Sequence, residues 1–320
     1  MASRDGDRAA RFAADFGLAA FGSYEDLLGS DTVDAVYVPL PVSLHTDWTI
    51  AALRAGKHVL CEKPFAMTAA DAARCFDAAA AADRMVAEAL MYRHHPQTAM
   101  VRRLLADGTI GELAYLRAAL TVSVEPDDIR RSPELGGGEL LDLGCYCVSA
   151  VRLFAGEPRR VMAERIDDGD ARDAVDLRMT ASLRADQGVL AQFDVGLDLP
   201  RRDELELVGT AGRIIVDDPW VCRSGWIDLV DASGRHRLPV DPEDTWRLTG
   251  ALYDGYRIHL DTLSRAIVDG FPTAFGRDDA VAQARALEAV RSASVAGAPV
   301  DVKTTERHSS RPPSRRVRTG

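Results

Sequence analysis

Up to about residue 100, apolar runs and amphipathic runs alternate along the chain. Asp5 is placed to cap a helix that continues through Phe16 and stops at Gly17. Ser23-Tyr24-Glu25-Asp26 opens a short helical turn, with a carboxylate three residues after the capping serine. Val33 to Leu40 is an apolar run closed by Pro39 and Pro41, the pattern of a strand buried in a parallel sheet. A helix is predicted from His45 to Ala55, ended by Gly56, and His58 to Cys61 is the next strand. Thr68 caps an alanine-rich helix to Ala82, and Met85 to Met91 reads as a further strand. This order predicts an α/β fold with a Rossmann-type, doubly wound parallel sheet.

The pattern changes after a helix that Pro96 opens and Gly108 ends. Leu113 to Val124 is strand-like and Gly138 to Phe154 helical. Strands follow at Val161 to Ile166, Val175 to Leu183, Val189 to Leu197 and Leu205 to Val208. Asp186-Gln187-Gly188 and Gly209-Thr210-Ala211-Gly212 mark turns between them. Consecutive strands without helices between them predict a second, α+β domain with a mostly antiparallel open sheet. Leu248, Leu252, Tyr256, Leu260, Leu263 and Ile267 form the apolar stripe of a helix ended by Gly270, and Asp278 to Ala296 is another helix. The chain thus divides into a Rossmann-like domain, 1–98, a substrate and oligomerisation domain, 99–302, and a tail, 303–320. The tail carries Lys303, Arg307, Arg311, Arg315, Arg316 and Arg318 against Glu306, and reads as disordered and solvated.

At 320 residues, with 47% hydrophobic and 28% charged, the chain is long enough for two cores. A net charge of -10 argues against nucleic acid as the main partner. The five cysteines, Cys61, Cys75, Cys145, Cys147 and Cys222, form no Cys-x-x-Cys pair and have no histidine cluster beside them. Neither a disulfide framework nor a metal site is indicated, which points to a reducing compartment. No apolar run reaches the ~20 residues that span a bilayer, and Met1-Ala2-Ser3-Arg4-Asp5 does not open a signal peptide. The expectation is a cytoplasmic protein without a membrane partner.

Two segments carry candidate chemistry. His58 to Cys61 runs into Glu62-Lys63-Pro64, and in open parallel sheets ligands bind beyond the carboxyl ends of the strands. The charged pair there either faces a crevice or makes a surface ion pair. Pro39, Leu40 and Pro41 end the preceding strand at the same edge and bring His45 near it, as a ligand contact or as a capping or solvent-facing histidine. In the second segment, Gly136-Gly137-Gly138 permits close approach of backbone to a ligand. Asp142 and Tyr146, four apart on a predicted helix, share one face in apolar surroundings. Such a pair suits acid/base work, or it is a hydrogen bond that holds the helix. Arg130 and Arg131, just ahead of the glycines, are placed to meet sugar hydroxyls or a phosphate, or simply water.

Val33-Asp34-Ala35-Val36-Tyr37-Val38-Pro39, Ala55-Gly56-Lys57-His58-Val59-Leu60-Cys61-Glu62-Lys63-Pro64, Met91-Tyr92-Arg93-His94-His95-Pro96 and the glycine run through Tyr146 together resemble the glucose–fructose oxidoreductase/inositol 2-dehydrogenase (Gfo/Idh/MocA) family. The likeness, over residues 2 to 302, is to its dihydrodiol and xylose dehydrogenase branch. It implies hydride transfer between a nicotinamide and a secondary alcohol or hemiacetal of a sugar, cyclitol or dihydrodiol. It also implies association of copies as a homodimer, or a higher homo-oligomer, through the second-domain sheet. Lys63 would touch the nicotinamide ribose and the reacting oxygen, Tyr146 would be the catalytic acid/base, and Asp142 the aspartate four before it. Pro39, Leu40, Pro41, His45 and Glu62 would lie by the cofactor, Arg93 at the junction of cofactor and substrate, and Arg130 by the substrate. A tyrosine near its ordinary pKa of ~10 is too weak a base at neutrality, and the charge of Lys63 would lower it.

The family's opening strand and Gly-x-Gly-x-x-Gly turn are missing from the residues before Val33. The start at Ser3-Arg4-Asp5 resembles the end of the family's second strand, where an arginine suits the 2′-phosphate of NADP and an acidic residue suits NAD. Ser3 and Arg4 therefore point to NADP, with NAD left open by Asp5. Either the start lies downstream of the true one, or the protein is a remnant that holds no dinucleotide. The first is favoured because Glu62, Lys63, Asp142 and Tyr146 are all present. On this reading the chain as written is inactive and poorly stable. A non-catalytic, metabolite-sensing protein on the same fold is the alternative class.

Overall fold

The computed structural model describes residues 1–169, 174–240, 254–271 and 273–303. Local capping starts its helices where polar side chains can replace missing backbone partners. Asp5 accepts from the N–H groups of Asp7 (2.9 Å) and Arg8 (3.1 Å) at the head of α1 (Gly6–Asp15). Ser23 caps α2 (Tyr24–Leu28), and Thr68 caps α4 (Ala69–Ala82) through a 3.0 Å bond from Asp71 N–H. Between them α3 (Val42–Arg54) begins directly after Pro41, three residues earlier than predicted. Strands β1 (Ala35–Val38), β2 (His58–Glu62) and β3 (Val86–Ala89) pair in parallel in that order.

β1 corrects one expectation. It was predicted to be buried on both faces, yet Tyr37 is 47% exposed and Val38 is the one buried residue of its four. The cause is its place at the edge: among the described residues it pairs with β2 alone. The predicted strand to Met91 also stops early, because Met91–His94 turns tightly before α5 (Pro96–Ala106).

The second layer is a nine-stranded sheet made of β4 (Leu113–Ser123), β5 (Arg160–Asp167), β6 (Asp176–Arg184), β7 (Leu190–Gly196), β8 (Asp198–Gly209), β9 (Gly212–Asp217), β10 (Trp226–Asp231), β11 (Gly234–Pro239) and β12 (Val300–Asp301). Their order is β11-β10-β9-β8-β4-β7-β6-β5-β12, antiparallel throughout except for β4 against β7. Burial alternates along β6 from Leu177 onward, as a sheet with one wet face requires. Leu116, Leu120, Phe193, Val195, Leu205 and Leu207 fill the dry face beneath α6 (Cys145–Ala155).

Two helices follow, α7 (Gly255–Asp269) and α8 (Arg277–Ala296). Of the predicted stripe on α7, Leu248 and Leu252 lie outside the described residues. Leu263 is buried, while Tyr256 (50%) and Leu260 (48%) are exposed. The predicted tail lies outside the described residues from 304 onward. α8 joins the layers: Ala280, Val281 and Ala284 pack into the parallel-sheet core, and Leu287, Val290 and Ala293 into the larger one. None of the described helices is long and apolar enough to cross a membrane.

Neighbouring residues of β8 test the two faces of the large sheet. Leu207 is fully buried, whereas Glu206 holds Arg213 at 2.8 Å on the wet face. Leu207→Ala should cost about 2–5 kcal/mol of folding stability, and Glu206→Ala less than about 1 kcal/mol. Urea unfolding of the two variants measures the difference.

Candidate functional site

The site forms where the carboxyl ends of β1 and β2 meet the turn that leads into α6. Residues Leu140–Gly144 form one π-helical turn. Its wider winding departs from the regular helix predicted there and pushes the Asp142 carboxylate toward β2. Lys63, the residue after β2, reaches across and donates to Asp142 Oδ1 (2.7 Å) and to the Asp142 carbonyl (2.6 Å). Its ammonium also sits 5.1 Å from the centroid of the Tyr146 ring. Lys63 Nζ carries three donors, so one N–H is left facing the crevice without a protein acceptor among the described residues.

Burial pulls the Lys63 ammonium toward neutrality, but the Asp142 carboxylate outweighs it, and Lys63 stays charged well above the usual lysine range. Tyr146 is 7% exposed and goes the other way. Burial pushes its phenol well above the ordinary value, and the opposing charge of Lys63 does not overcome that. The expectation that Lys63 brings Tyr146 down toward neutrality is therefore corrected: Lys63 is spent on Asp142 and offers Tyr146 only its field. No Asp142–Tyr146 hydrogen bond forms either. The Tyr146 hydroxyl meets Met91 Sδ at 3.7 Å, and its ring packs against Tyr92 and Trp220 at 6.1 and 5.9 Å.

His45 is fully buried, with Nε2 2.7 Å from the Leu40 carbonyl and Nδ1 2.9 Å from that of Pro64. It ties the end of β1 to the turn after β2, so its ring nitrogens are occupied by protein. Burial lowers its pKa, against the pull of both carbonyls. Glu62 accepts from the Tyr37 hydroxyl and from Lys63 N–H. Leu40, Pro41, His45, Lys63, Arg130 and Asp142 line one crevice of about 110 Å3. Arg130 grips Asp128 through two bonds of 2.7 and 2.8 Å and stands 3.9 Å from Asp142 Oδ2, with 41% of its side chain exposed. Arg131 is paired with Asp168.

Three further segments are fixed by protein contacts. Arg93 is buried in a structural network, bonded to Asp279 (2.6 Å) and Ser149 (2.8 Å), and does not line the crevice. Ser3 and Arg4, expected at the 2′-phosphate end of the cofactor rather than in this crevice, lie at the head of α1, where Ser3 Oγ accepts from Asp5 N–H. The glycine run is crowded by protein. A Cβ at Gly136 would stand 2.5 Å from Val42, one at Gly137 2.5 Å from the Arg130 carbonyl, and one at Gly138 2.2 Å from Asp176. The glycines thus let the start of α3, the Arg130 segment and the start of β6 close on one another around the crevice.

Tyr256 was not singled out as a site residue. Gly255, beside it, packs on Met91, and the Tyr256 phenol feels the charges of Glu62 and Lys63. A helical stripe gives no sign of this, because it does not say which layer the helix will face.

A family model described as "Oxidoreductase family, NAD-binding Rossmann fold" matches residues 1–90, and the "GFO/IDH/MocA C-terminal domain" matches residues 98–215. D-xylose 1-dehydrogenase (NADP(+)) 2 of Haloferax volcanii is 35% identical over 306 residues, 94% of this chain and 91% of that protein. The dTDP-3,4-didehydro-2,6-dideoxy-alpha-D-glucose 3-reductase of Actinomadura kijaniata is 34% identical over 91% of this chain and 86% of its own. A crystal structure of a 3-ketoreductase from that organism, in complex with NADP and TDP-benzene, superposes with a TM-score of 0.82. It shares 33% identity and covers 91% of this chain and 88% of the other.

The Lys63–Asp142 pair should reveal itself in the pH dependence of stability. In Asp142→Asn the buried ammonium loses its counter-charge, at a cost of about 2–3 kcal/mol, below the ~3–5 for a fully buried pair. Lys63 is then free to shed its proton in the folded state before it does so in the unfolded one. The folded state binds fewer protons there, so the stability of the variant should rise with pH through the alkaline range. The wild type, whose folded-state lysine is raised, should not gain. Thermal unfolding from neutral to alkaline pH distinguishes them.

Proposed function

The chain belongs to the Gfo/Idh/MocA oxidoreductase family, and from that membership we propose that it interconverts an alcohol and a carbonyl on a sugar-like substrate, with NADP as cofactor. The observation that carries this is the Lys63–Asp142–Tyr146 cluster: a charged ammonium and a neutral phenol side by side at the carboxyl end of a parallel strand. The nicotinamide end of such a cofactor fits the crevice. The spare Lys63 N–H suits a ribose or carbonyl oxygen, and Leu40 and Pro41 give an apolar wall. NADP is favoured over NAD because the Haloferax relative is named for it and the Actinomadura structure contains it. Residues 1–98 would form the cofactor half and 99–302 the substrate half.

When bound, the cofactor supplies the hydride that passes to or from the carbinol carbon. The chain's own groups handle charge and protons. Lys63, kept ionised by Asp142, holds the reacting oxygen and stabilises negative charge on it. Tyr146, kept protonated by burial, gives its hydroxyl proton to that oxygen as a carbonyl is reduced, and recovers it in the reverse direction. A raised phenol suits the donor role, because an alkoxide is more basic still. Arg130, at the rim, is placed for substrate hydroxyls or a phosphate. Tyr115, Leu190, Met162 and Ile166 are exposed on the open face of the large sheet, which we take as the face where copies associate.

The test is NADPH oxidation against a panel of aldoses, keto-sugars, dihydrodiols and dTDP-linked keto-sugars. Tyr146→Phe should cut turnover by ~10²-fold or more with little change in cofactor affinity. Lys63→Ala should damage both turnover and binding. A Tyr146→Phe variant with normal turnover removes this residue from the mechanism. Oxidation needs the phenolate and should speed up with rising pH, whereas reduction should fall only in the alkaline range. Pre-steady-state kinetics in each direction tests that asymmetry.

A further inference from the structure

Glu139 lies immediately before the π-helical turn that carries Asp142. It is fully buried, and neither of its carboxylate oxygens meets a hydrogen-bond donor. Its neighbour is Asp176, the first residue of β6, whose Oδ2 accepts from Leu140 N–H at 2.8 Å. The Asp176 carboxylate also lies against Gly138, whose φ of +115° and lack of a side chain leave room for it. The groups that face Glu139 are Asp176 on β6, Asp142 on the π-helical turn, Arg165 on β5 and the Cys147 thiol on α6. Burial and Asp176 outweigh Arg165, so Glu139 keeps its proton well above the usual carboxylate range.

We propose that Glu139 and Asp176 share a single proton, and that this buried acid–carboxylate pair positions the turn that presents Asp142 to Lys63. Ionised carboxylates are acceptors only, so two of them side by side without a donor repel. One proton turns Glu139 into a donor to Asp176 and leaves a single negative charge. That charge lies where Leu140, the first residue of the turn, points its N–H. Loss of the proton would set two like charges together, push Asp176 off Leu140 N–H and loosen the turn, and Lys63 would lose its fixed partner. The catalytic consequence rests on the proposed role of Lys63 and Asp142. The shared proton does not.

Glu139→Gln tests the pair, because an amide N–H donates to Asp176 at every pH. The infrared spectrum of the wild type at neutral pH should contain a protonated-carboxyl band, lost at alkaline pH and absent from Glu139→Gln. Asp176→Asn should also remove the band, since the new amide can satisfy an ionised Glu139. The raised carboxyl of the wild type gives stability that is complete below the unfolded-state pKa and is lost as pH rises through the folded one. The Tm of Glu139→Gln should therefore gain on that of the wild type by roughly 2–4 °C per pH unit across that window. In reduction, the alkaline fall of kcat should move to higher pH in the variant. Absence of the carboxyl band, or parallel Tm profiles, overturns the shared proton. A kcat–pH profile that Glu139→Gln leaves unmoved overturns the positioning role. Inactivity of both proteins toward every sugar tested would count against the proposed function, while the band and the Tm profiles still decide the pair.

Discussion

The 2.7 Å contact between Lys63 and Asp142 is the constraint on which the site depends. It links residues 79 apart in sequence, one at the end of a parallel strand and the other in the turn beneath the large sheet. An ammonium largely withdrawn from water is tolerable only with a carboxylate at this distance, and that carboxylate has to come from the other layer. The geometry therefore fixes the approach of the two layers as well as the charge state of the lysine. α8 holds that approach rigid. Its first half packs into one core and its second into the other, and Asp279 in its first turn binds both Arg93 and Arg152.

Three ionisable side chains around this pair are sorted by their surroundings. Lys63 is kept charged by a counter-ion, Tyr146 is kept neutral by burial, and Glu139 is kept neutral by burial and a like charge beside it. Each is expensive alone, since a buried charge or an unmet acceptor is disfavoured. Together they leave an ammonium, paired with Asp142, lining the crevice and a protonated phenol whose ring centroid lies 5.1 Å from it. That is the polarity the proposed reduction of a carbonyl requires.

The helices of the first layer were legible because their signals are local. Asp5, Ser23 and Thr68 each satisfy N–H groups two or three residues away, whatever the rest of the chain does. The end of β2 at Glu62-Lys63 was legible for the same reason. What escaped depends on partners far off in sequence. Arg93 takes up Asp279, 186 residues away, and so sits in a structural network apart from the crevice. β9, β10 and β11 were missed because their runs are short and broken by charges, and the register with neighbouring strands is what makes them a sheet. Apolar residues alone cannot distinguish an edge strand from a central one, which is why β1 was read as buried. The π-helical turn shifts the face on which Asp142 projects, and the four-residue spacing does not disclose it.

The same crowding that fixes the site limits where it can vary. Gly136, Gly137 and Gly138 are each pressed by a different segment, and a Cβ there would meet protein within 2.5 Å. His45 binds two carbonyls and the π-helical turn leans on Asp176, so the floor of the crevice has no slack. The rim is different. Ile129 is 56% exposed and Tyr256 50%, and the Arg130 side chain, 41% exposed, is held by Asp128 and stands 3.9 Å from Asp142 Oδ2. A substitution at Ile129 or Tyr256 removes no hydrogen bond to Lys63 or Asp142, whereas one at Arg130 also removes a charge 3.9 Å from Asp142. Changes of size at Ile129 and Tyr256 therefore carry little structural cost, while the Lys63–Asp142 pair and the glycine run behind them are held by packed protein.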